Sequence, residues 1–145
     1  MGVKFDDLNP ANPAYPDALN AVNKYFHVKP MSATRAMTTA TKIAVLPADA
    51  TITGIKFYPT TASNAGTTAT VTLTATTVSG TVTLGTVDVK GTTTSTSIAS
   101  ANFFNLELVP AATRVGDILI KATYAETGTA SSAGGPFYFT IDYLR

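Results

Sequence analysis

The sequence predicts an all-β protein, an antiparallel β-sandwich of the jelly-roll type, preceded by an extended N-terminal arm that contains a short helix. Three observations support this fold class. Apolar and polar residues alternate in short segments, turn residues separate these segments about every ten positions, and no helical period follows residue 30. About seven or eight such strands indicate a sandwich, for which an immunoglobulin-like topology is the alternative to the jelly roll.

Residues 1–31 differ in composition from the remainder and are predicted to form the arm, which leaves residues 32–145 as the β-sandwich domain. Prolines punctuate the arm, and Pro16, followed by Asp17, suits the first turn of a helix. The apolar stripe of this helix would consist of Leu19, Val22 and Phe26. So short a helix needs a surface to pack against, either on its own domain or on a neighbouring subunit.

The predicted strands follow one another with short connections. They span about 35–46, 51–58, 69–78, 81–90, 97–101, 103–109, 117–125 and 137–145. In the three most regular strands, alternate residues share one face: Val71, Leu73 and Ala75; Ile118, Ile120, Ala122 and Tyr124; Phe137, Phe139, Ile141 and Tyr143. Gly54 and Gly85 interrupt the alternation of their strands, which indicates β-bulges.

The composition excludes several classes of function. Only 13% of residues are charged, against about 25% in ordinary soluble domains, which predicts a protein that works inside an assembly. The net charge of +1 and the absence of a basic cluster argue against a nucleic-acid partner. No apolar run approaches a membrane span of about 18 residues and no signal peptide precedes the domain, so we expect no membrane partner and synthesis in the cytoplasm.

No catalytic or cofactor-binding set emerges from the residue pattern. His27 is the single histidine and has no evident orienting partner, and the chain has no cysteine. We therefore expect no enzymatic activity, no cofactor and no metal. A calcium site formed by Asp49, Asp88 or Asp117 is a weaker alternative, since no loop concentrates the oxygen ligands that calcium needs. Tyr124 and Tyr138 are candidates for stacking on sugars, although core or interface packing is the favoured use.

The segments IAVLPADATITGIKFYPTTASNAGTTATVTLTA, LGTVDVKG and GDILIKATYAETG are followed by a final aromatic strand, and they lie within roughly residues 40–145. This succession resembles the head decoration, or capsid cement, proteins of tailed bacteriophages. The resemblance implies a jelly-roll protein on the virion exterior that binds the outer surface of the capsid. It also implies that the protein is a small homo-oligomer, a dimer or trimer, and that it cements neighbouring copies of the major capsid protein.

Capsid or subunit contacts are expected from the arm and from two loops, at about 60–68 and 127–136. The candidate residues are Phe5, Leu8, Tyr15, Leu19, Val22, Phe26, Asn64, Gly66 and Tyr138. In the first loop, Asn64 and Gly66 are also residues that are able to take left-handed turn conformations. The alternative function is a receptor- or glycan-binding β-sandwich module of a phage tail or fibre.

Overall fold

The computed structural model describes residues 25–91, 94–98, 103 and 116–145, and within them the chain forms eight strands. The strands are β1 (Phe26–Ala33), β2 (Thr41–Leu46), β3 (Thr51–Tyr58), β4 (Thr68–Thr77), β5 (Gly80–Asp88), β6 (Thr96–Ile98), β7 (Ile118–Thr127) and β8 (Phe137–Leu144). A helix with the length and hydropathy of a membrane span is not found in this described part of the chain.

The strands form two four-stranded sheets with the orders β1-β8-β3-β6 and β2-β7-β4-β5. Strands equally distant in sequence order from the first and the last strand pair with each other: β1 pairs with β8, β2 with β7, β3 with β6 and β4 with β5, always antiparallel. This arrangement is one long hairpin folded over into two sheets, which is the jelly-roll topology. The predicted jelly roll is therefore confirmed, and the immunoglobulin-like alternative is wrong.

The core lies between the two sheets and follows the predicted alternation. The largest fully buried side chains include Phe57, Phe137, Phe139, Leu46, Ile55, Leu73, Leu84, Ile118, Ile120 and Ile141. Phe57 and Phe139 are partners in the β3–β8 register, with ring centroids 5.2 Å apart. The period-two pattern of β4, β7 and β8 thus reports directly which face of each sheet is buried.

Both predicted β-bulges are present. The β3–β8 register shifts between Ile52 and Gly54, which keeps Ile52 buried together with the inward residues of β3. In β5, Leu73 pairs with Gly85 and Thr74 pairs with Thr83, so Leu84 is the extra residue of the bulge and is fully buried. The extra residue of each bulge shifts the inward–outward alternation of its strand by one position. Apolar residues on both sides of the glycine therefore face the core.

The boundary between arm and sandwich differs from the predicted one at residue 31. Residues 26–31 lie in β1, which is hydrogen-bonded to β8, so Phe26 belongs to a strand and not to the predicted helix. The residue pattern does not predict this strand for two reasons. His27 and Lys29 are polar residues at inward positions, which are exposed here. Pro30 argues against a central strand and is tolerated because β1 lies at the edge of its sheet. The rest of the predicted helix lies outside the described residues.

Two further strand predictions need correction or lie outside the described residues. The strand predicted from residue 35 begins at Thr41, because residues 35–40 form a connection whose Arg35 is used at the loops described below. Within the segment predicted as 103–109, only Phe103 is described, and it is half-buried against the core.

At one end of the sandwich the strand ladder extends by one residue on each side. The backbone N–H of Tyr25 donates to the carbonyl of Arg145 over 2.8 Å, and the N–H of Arg145 donates back over 3.1 Å. The Arg145 side chain also pairs with Asp49, with 3.2 Å between Nε and Oδ1. The chain therefore enters and leaves the sandwich at the same end, beside the β2–β3 turn.

Candidate interaction surfaces

The opposite end of the sandwich carries the β3–β4 connection (59–67) and the β7–β8 connection (128–136), which together are called the loop end. Several backbone hydrogen bonds join the two connections. The N–H of Gly66 donates to the carbonyl of Thr129 over 2.8 Å, and the N–H of Gly135 donates to the carbonyl of Thr61 over 2.9 Å. The two loops thus form one unit and not two independent flaps.

Asn64, one of the predicted contact residues, braces the loop end. Its Oδ1 accepts hydrogen bonds from the backbone N–H groups of Ser132, over 3.0 Å, and Ala133, over 2.9 Å. Its Nδ2 donates to Oγ of Ser132 over 3.0 Å. The residue is exposed, yet its polar atoms are engaged within the chain, so its side chain fixes the shape of the surface.

Gly66 is required by a close approach between the loops. A Cβ atom added to this residue would lie 2.4 Å from the backbone nitrogen of Thr129, a distance that real Cβ contacts do not reach. Neither Asn64 nor Gly66 has a positive φ, so the left-handed conformation that both residues are able to take is not used in this loop. The glycine is needed for space and not for its backbone angle.

A hydroxyl network lies beneath the loop end. Buried Ser63 hydrogen-bonds through Oγ to the hydroxyl of Tyr124 over 2.8 Å. Tyr124 donates to Oε2 of Glu126 over 2.6 Å, and the hydroxyl of Ser131 donates to the same oxygen over 2.5 Å. Hydrogen bonds from the Ser131 and Tyr124 side chains, with smaller help from the Ser131 amide and Arg35, outweigh desolvation and hold the pKa of Glu126 below its ordinary value.

Two cationic side chains complete the loop end by binding backbone carbonyls. Arg35 donates to the carbonyls of Gly134, over 3.2 Å, and Ser132, over 3.1 Å, and also to the carbonyl of Ser131. Lys90 places Nζ 2.9 Å from the carbonyl oxygens of Gly66 and Thr67. The loop end is consequently a polar surface whose shape is set before any partner arrives.

The outer face of the β1-β8-β3 sheet presents a different surface, here called the aromatic face. It consists of Phe26, Val28, Lys56, Tyr58, Tyr138 and Asp142. Phe26 is 62% exposed and Val28 is 59% exposed, while Tyr58 and Tyr138 are direct cross-strand partners that remain 40% and 46% exposed. Exposed large apolar side chains concentrated on one face are typical of an interaction site.

The outer face of the other sheet contrasts with the aromatic face. It is lined by threonines, some of which hydrogen-bond across strands, as Thr72 does with Thr86 and Thr76 does with Thr81, each over 3.0 Å. None of the large exposed apolar side chains in the described part of the chain lies on this face, since Val78 belongs to the β4–β5 turn. The two faces of the sandwich are therefore chemically distinct.

The sugar-stacking interpretation is wrong for Tyr124 and remains a prediction for Tyr138. Tyr124 is 3% exposed and its ring stacks on Phe137, with centroids 5.9 Å apart. Sequence reasoning missed that Tyr58 lies beside Tyr138. The outward position of Tyr58 follows from strand alternation, but its neighbour depends on the register between β3 and β8, which are distant in sequence.

The other predicted candidates have plain structural roles or lie outside the described residues. His27 stacks on Tyr143 with ring centroids 5.2 Å apart. Asp49 pairs with Arg145 at one end, whereas Asp88 accepts a hydrogen bond from the Lys90 amide near the loop end, so these carboxylates do not converge on a calcium site. No group of three or more His, Asp or Glu side chains in residues 25–91, 94–98, 103 and 116–145 is arranged to hold a metal ion. The predicted contacts Phe5, Leu8, Tyr15, Leu19 and Val22 fall outside the described residues.

Comparisons with known protein families, with curated protein sequences and with solved protein structures give no match.

Proposed function

We propose that this chain is a structural virion protein that binds the outer surface of a phage capsid and cements neighbouring major capsid proteins. The observation that carries the proposal is the position of two candidate contact regions at opposite ends of one small sandwich. The loop end lies at one end, and the segment before Tyr25 joins the sandwich at the other. Eight-residue strands of about 3.3 Å per residue separate them by roughly 25 Å.

The loop end suits a capsid contact because its shape is preorganised. Asn64 already joins the two connections, while Arg35 and Lys90 each bind backbone carbonyls within one of them, so docking would order few further groups. A preorganised surface keeps more of its interaction energy as affinity. The arm supplies the second attachment through Phe5, Leu8, Tyr15, Leu19 and Val22, and many copies on one shell add their weak contacts together.

The proposed mechanism is stabilisation by mass action and involves no catalysis, cofactor, nucleic acid or membrane. A protein that binds the assembled shell but not its separated subunits stabilises the shell by RT ln(1 + [L]/Kd), about 2.7 kcal/mol per site at a hundredfold excess over Kd. The chain would be made in the host cytoplasm and would act on the virion exterior, with the major capsid protein and further copies of itself as partners.

Electron cryomicroscopy of virus particles from the source of this sequence tests the proposal. We expect jelly-roll density outside the shell, with the loop end or the arm in contact with the major capsid protein. Density at the tail, or absence of the chain from every particle, would contradict the proposal.

A deletion of residues 1–24 tests the arm separately. This deletion spares β1, whose Met31 and Ala33 are buried, whereas a deletion that reached residue 30 would remove most of a strand. We expect the truncated chain to remain folded and to occupy capsids at least about tenfold less, the loss that about 1.4 kcal/mol per site produces. Unchanged occupancy would remove the arm from the mechanism and leave the loop end as the attachment.

A receptor- or glycan-binding module of a tail or fibre is the second candidate. The adjacent exposed rings of Tyr58 and Tyr138 favour it, because aromatic rings on a sheet face can stack on sugars. Binding to a glycan array that is lost in Tyr138→Ser and kept in Val78→Ser would favour this function over cementing.

A further inference from the structure

The aromatic face has the pattern of a self-complementary interface. Its central strand is β8, flanked by β1 and β3, and its outward residues form rows across the sheet. One end row holds Tyr58 and Tyr138, and the opposite end row holds Phe26 and Leu144. Between them lie a row with Val28, Asp142 and Gly54, and a row with Thr140 and Lys56.

The charges on the aromatic face lie one row apart. Lys56 is exposed on β3 and Asp142 is half-buried on β8. Neither forms an ion pair with another residue that the structure describes, in contrast to Arg145, which pairs with Asp49. Beside Asp142, the β3 position is Gly54, which has no side chain, and Oδ2 of Asp142 lies 3.6 Å from the place a Cβ atom would take there.

We propose that the aromatic face binds the aromatic face of a second copy of this chain through a two-fold axis. The axis lies in the plane of the interface, perpendicular to the strands, and crosses β8 between Thr140 and Asp142. Each β8 then lies over the other β8 in the opposite direction. The Tyr58–Tyr138 row of one copy covers the Phe26–Leu144 row of the other, as an isologous contact requires.

The same operation places opposite charges together. Lys56 of one copy lies over Gly54 of the second copy, beside that copy's Asp142, and the contact is made twice because of the symmetry. A two-fold axis along β8 would instead place Asp142 over its own symmetry mate. Like charges facing each other are unfavourable, so charge selects the perpendicular axis.

The size of the face predicts a weak dimer. Strands about 4.8 Å apart and a rise of about 3.3 Å per residue give a flat area of roughly 350 Å² per copy. A stable interface buries about 800 Å² per partner, so we expect a dissociation constant in the micromolar to millimolar range for the free chain. The dimer deepens the oligomer of the proposed function but does not need the capsid, and failure of capsid binding would leave it intact.

Sedimentation equilibrium of the full chain, from about 10 μM to about 1 mM, tests this interface. We expect a monomer–dimer equilibrium that Lys56→Glu or Asp142→Lys weakens at least about tenfold, because each places like charges together. The double variant restores the pairing with exchanged signs and should return to within about threefold of the native dissociation constant. Tyr138→Ser should weaken the dimer, and Val78→Ser, which removes an even more exposed apolar side chain elsewhere, should leave it unchanged.

Circular dichroism of each variant confirms that the sandwich is folded. A chain that stays monomeric up to about 1 mM overturns the proposal. This holds whether residues 1–24 or another protein would then be the partner of the aromatic face. A trimer overturns it as well. A dimer that the double charge exchange does not restore overturns this two-fold arrangement.

Discussion

Gly85 on β5 and Ile98 on β6 are in close contact between the two sheets. Each of these strands is the edge strand of its sheet, on the same side of the sandwich. A Cβ atom on Gly85 would lie 2.3 Å from Cγ2 of Ile98. Ile98 is 9% exposed and belongs to the core. The glycine of the β5 bulge therefore allows the short β6 strand to pack its one buried side chain against the other sheet.

Gly85→Ala should destabilise the protein by about 1–3 kcal/mol, because the added methyl group overpacks the contact with Ile98. Urea unfolding measures this loss. Gly54→Ala is the matched control, since it also lies at a bulge but its Cβ would be 3.6 Å from Asp142, an ordinary contact. Equal stabilities for the two variants would contradict the packing role of Gly85.

Asn64→Ala should loosen the loop end, because the N–H groups of Ser132 and Ala133 lose their acceptor. The residue is exposed and water replaces part of the loss, so we expect about 1 kcal/mol of destabilisation. Hydrogen exchange at these two amides should become faster. Asn64→Asp keeps the accepting oxygen and should preserve most of the protection from exchange. Equal exchange rates in Asn64→Ala and Asn64→Asp would show that these hydrogen bonds do not order the loop.

Protonation of Glu126 at acidic pH should lower the free energy of unfolding, because the hydrogen bonds at the loop end favour the ionised carboxylate. Its pKa is lower in the folded chain than its ordinary value of 4.5, so the folded state binds the proton less tightly than the unfolded state. The stabilising contribution is therefore fully present above the unfolded pKa and is lost as the pH falls through the folded pKa. Urea midpoints measured across this acidic range should fall more steeply for the native chain than for Glu126→Gln, and parallel curves would contradict the assignment.

Tyr124→Phe should destabilise the protein by about 1–3 kcal/mol, because it leaves the buried Ser63 hydroxyl without its tyrosine partner. Tyr138→Phe, at an exposed position, should change the free energy of unfolding by less than about 0.5 kcal/mol. In the double variant Ser63→Ala with Tyr124→Phe, the loss should be smaller than the sum of the single losses. Additive losses would show that the two hydroxyls act independently.

The sequence predicted the parts of the fold in which the two faces of a strand differ in polarity. Strands β4, β7 and β8 have apolar inward residues and mostly polar outward residues, so their alternation revealed both the strand and its buried face. Strand β1 was missed because His27 and Lys29 hold inward positions beyond the covered part of the core. A pattern based on burial cannot detect an edge strand whose inward residues are not buried.

The interaction surfaces were less predictable, because they depend on contacts between residues far apart in the chain. Asn64 was recognised as a turn residue, but its bonds to Ser132 and Ala133 join loops separated by several strands. The pairing of Tyr58 with Tyr138 and the use of Arg35 at the β7–β8 connection depend equally on register and loop closure. Spacing in the sequence carries no signal for such contacts.

The reciprocal backbone hydrogen bonds between Tyr25 and Arg145 fix the position of Arg145 at one end of the sandwich, which makes it a suitable point for fusing another protein domain. A domain fused after Arg145 would project from the end of the sandwich remote from Asn64 and would leave the loop end unobstructed. The same proximity would let a short peptide join the two positions, so that new ends opened in the β4–β5 turn would yield a permuted chain with its sheets intact.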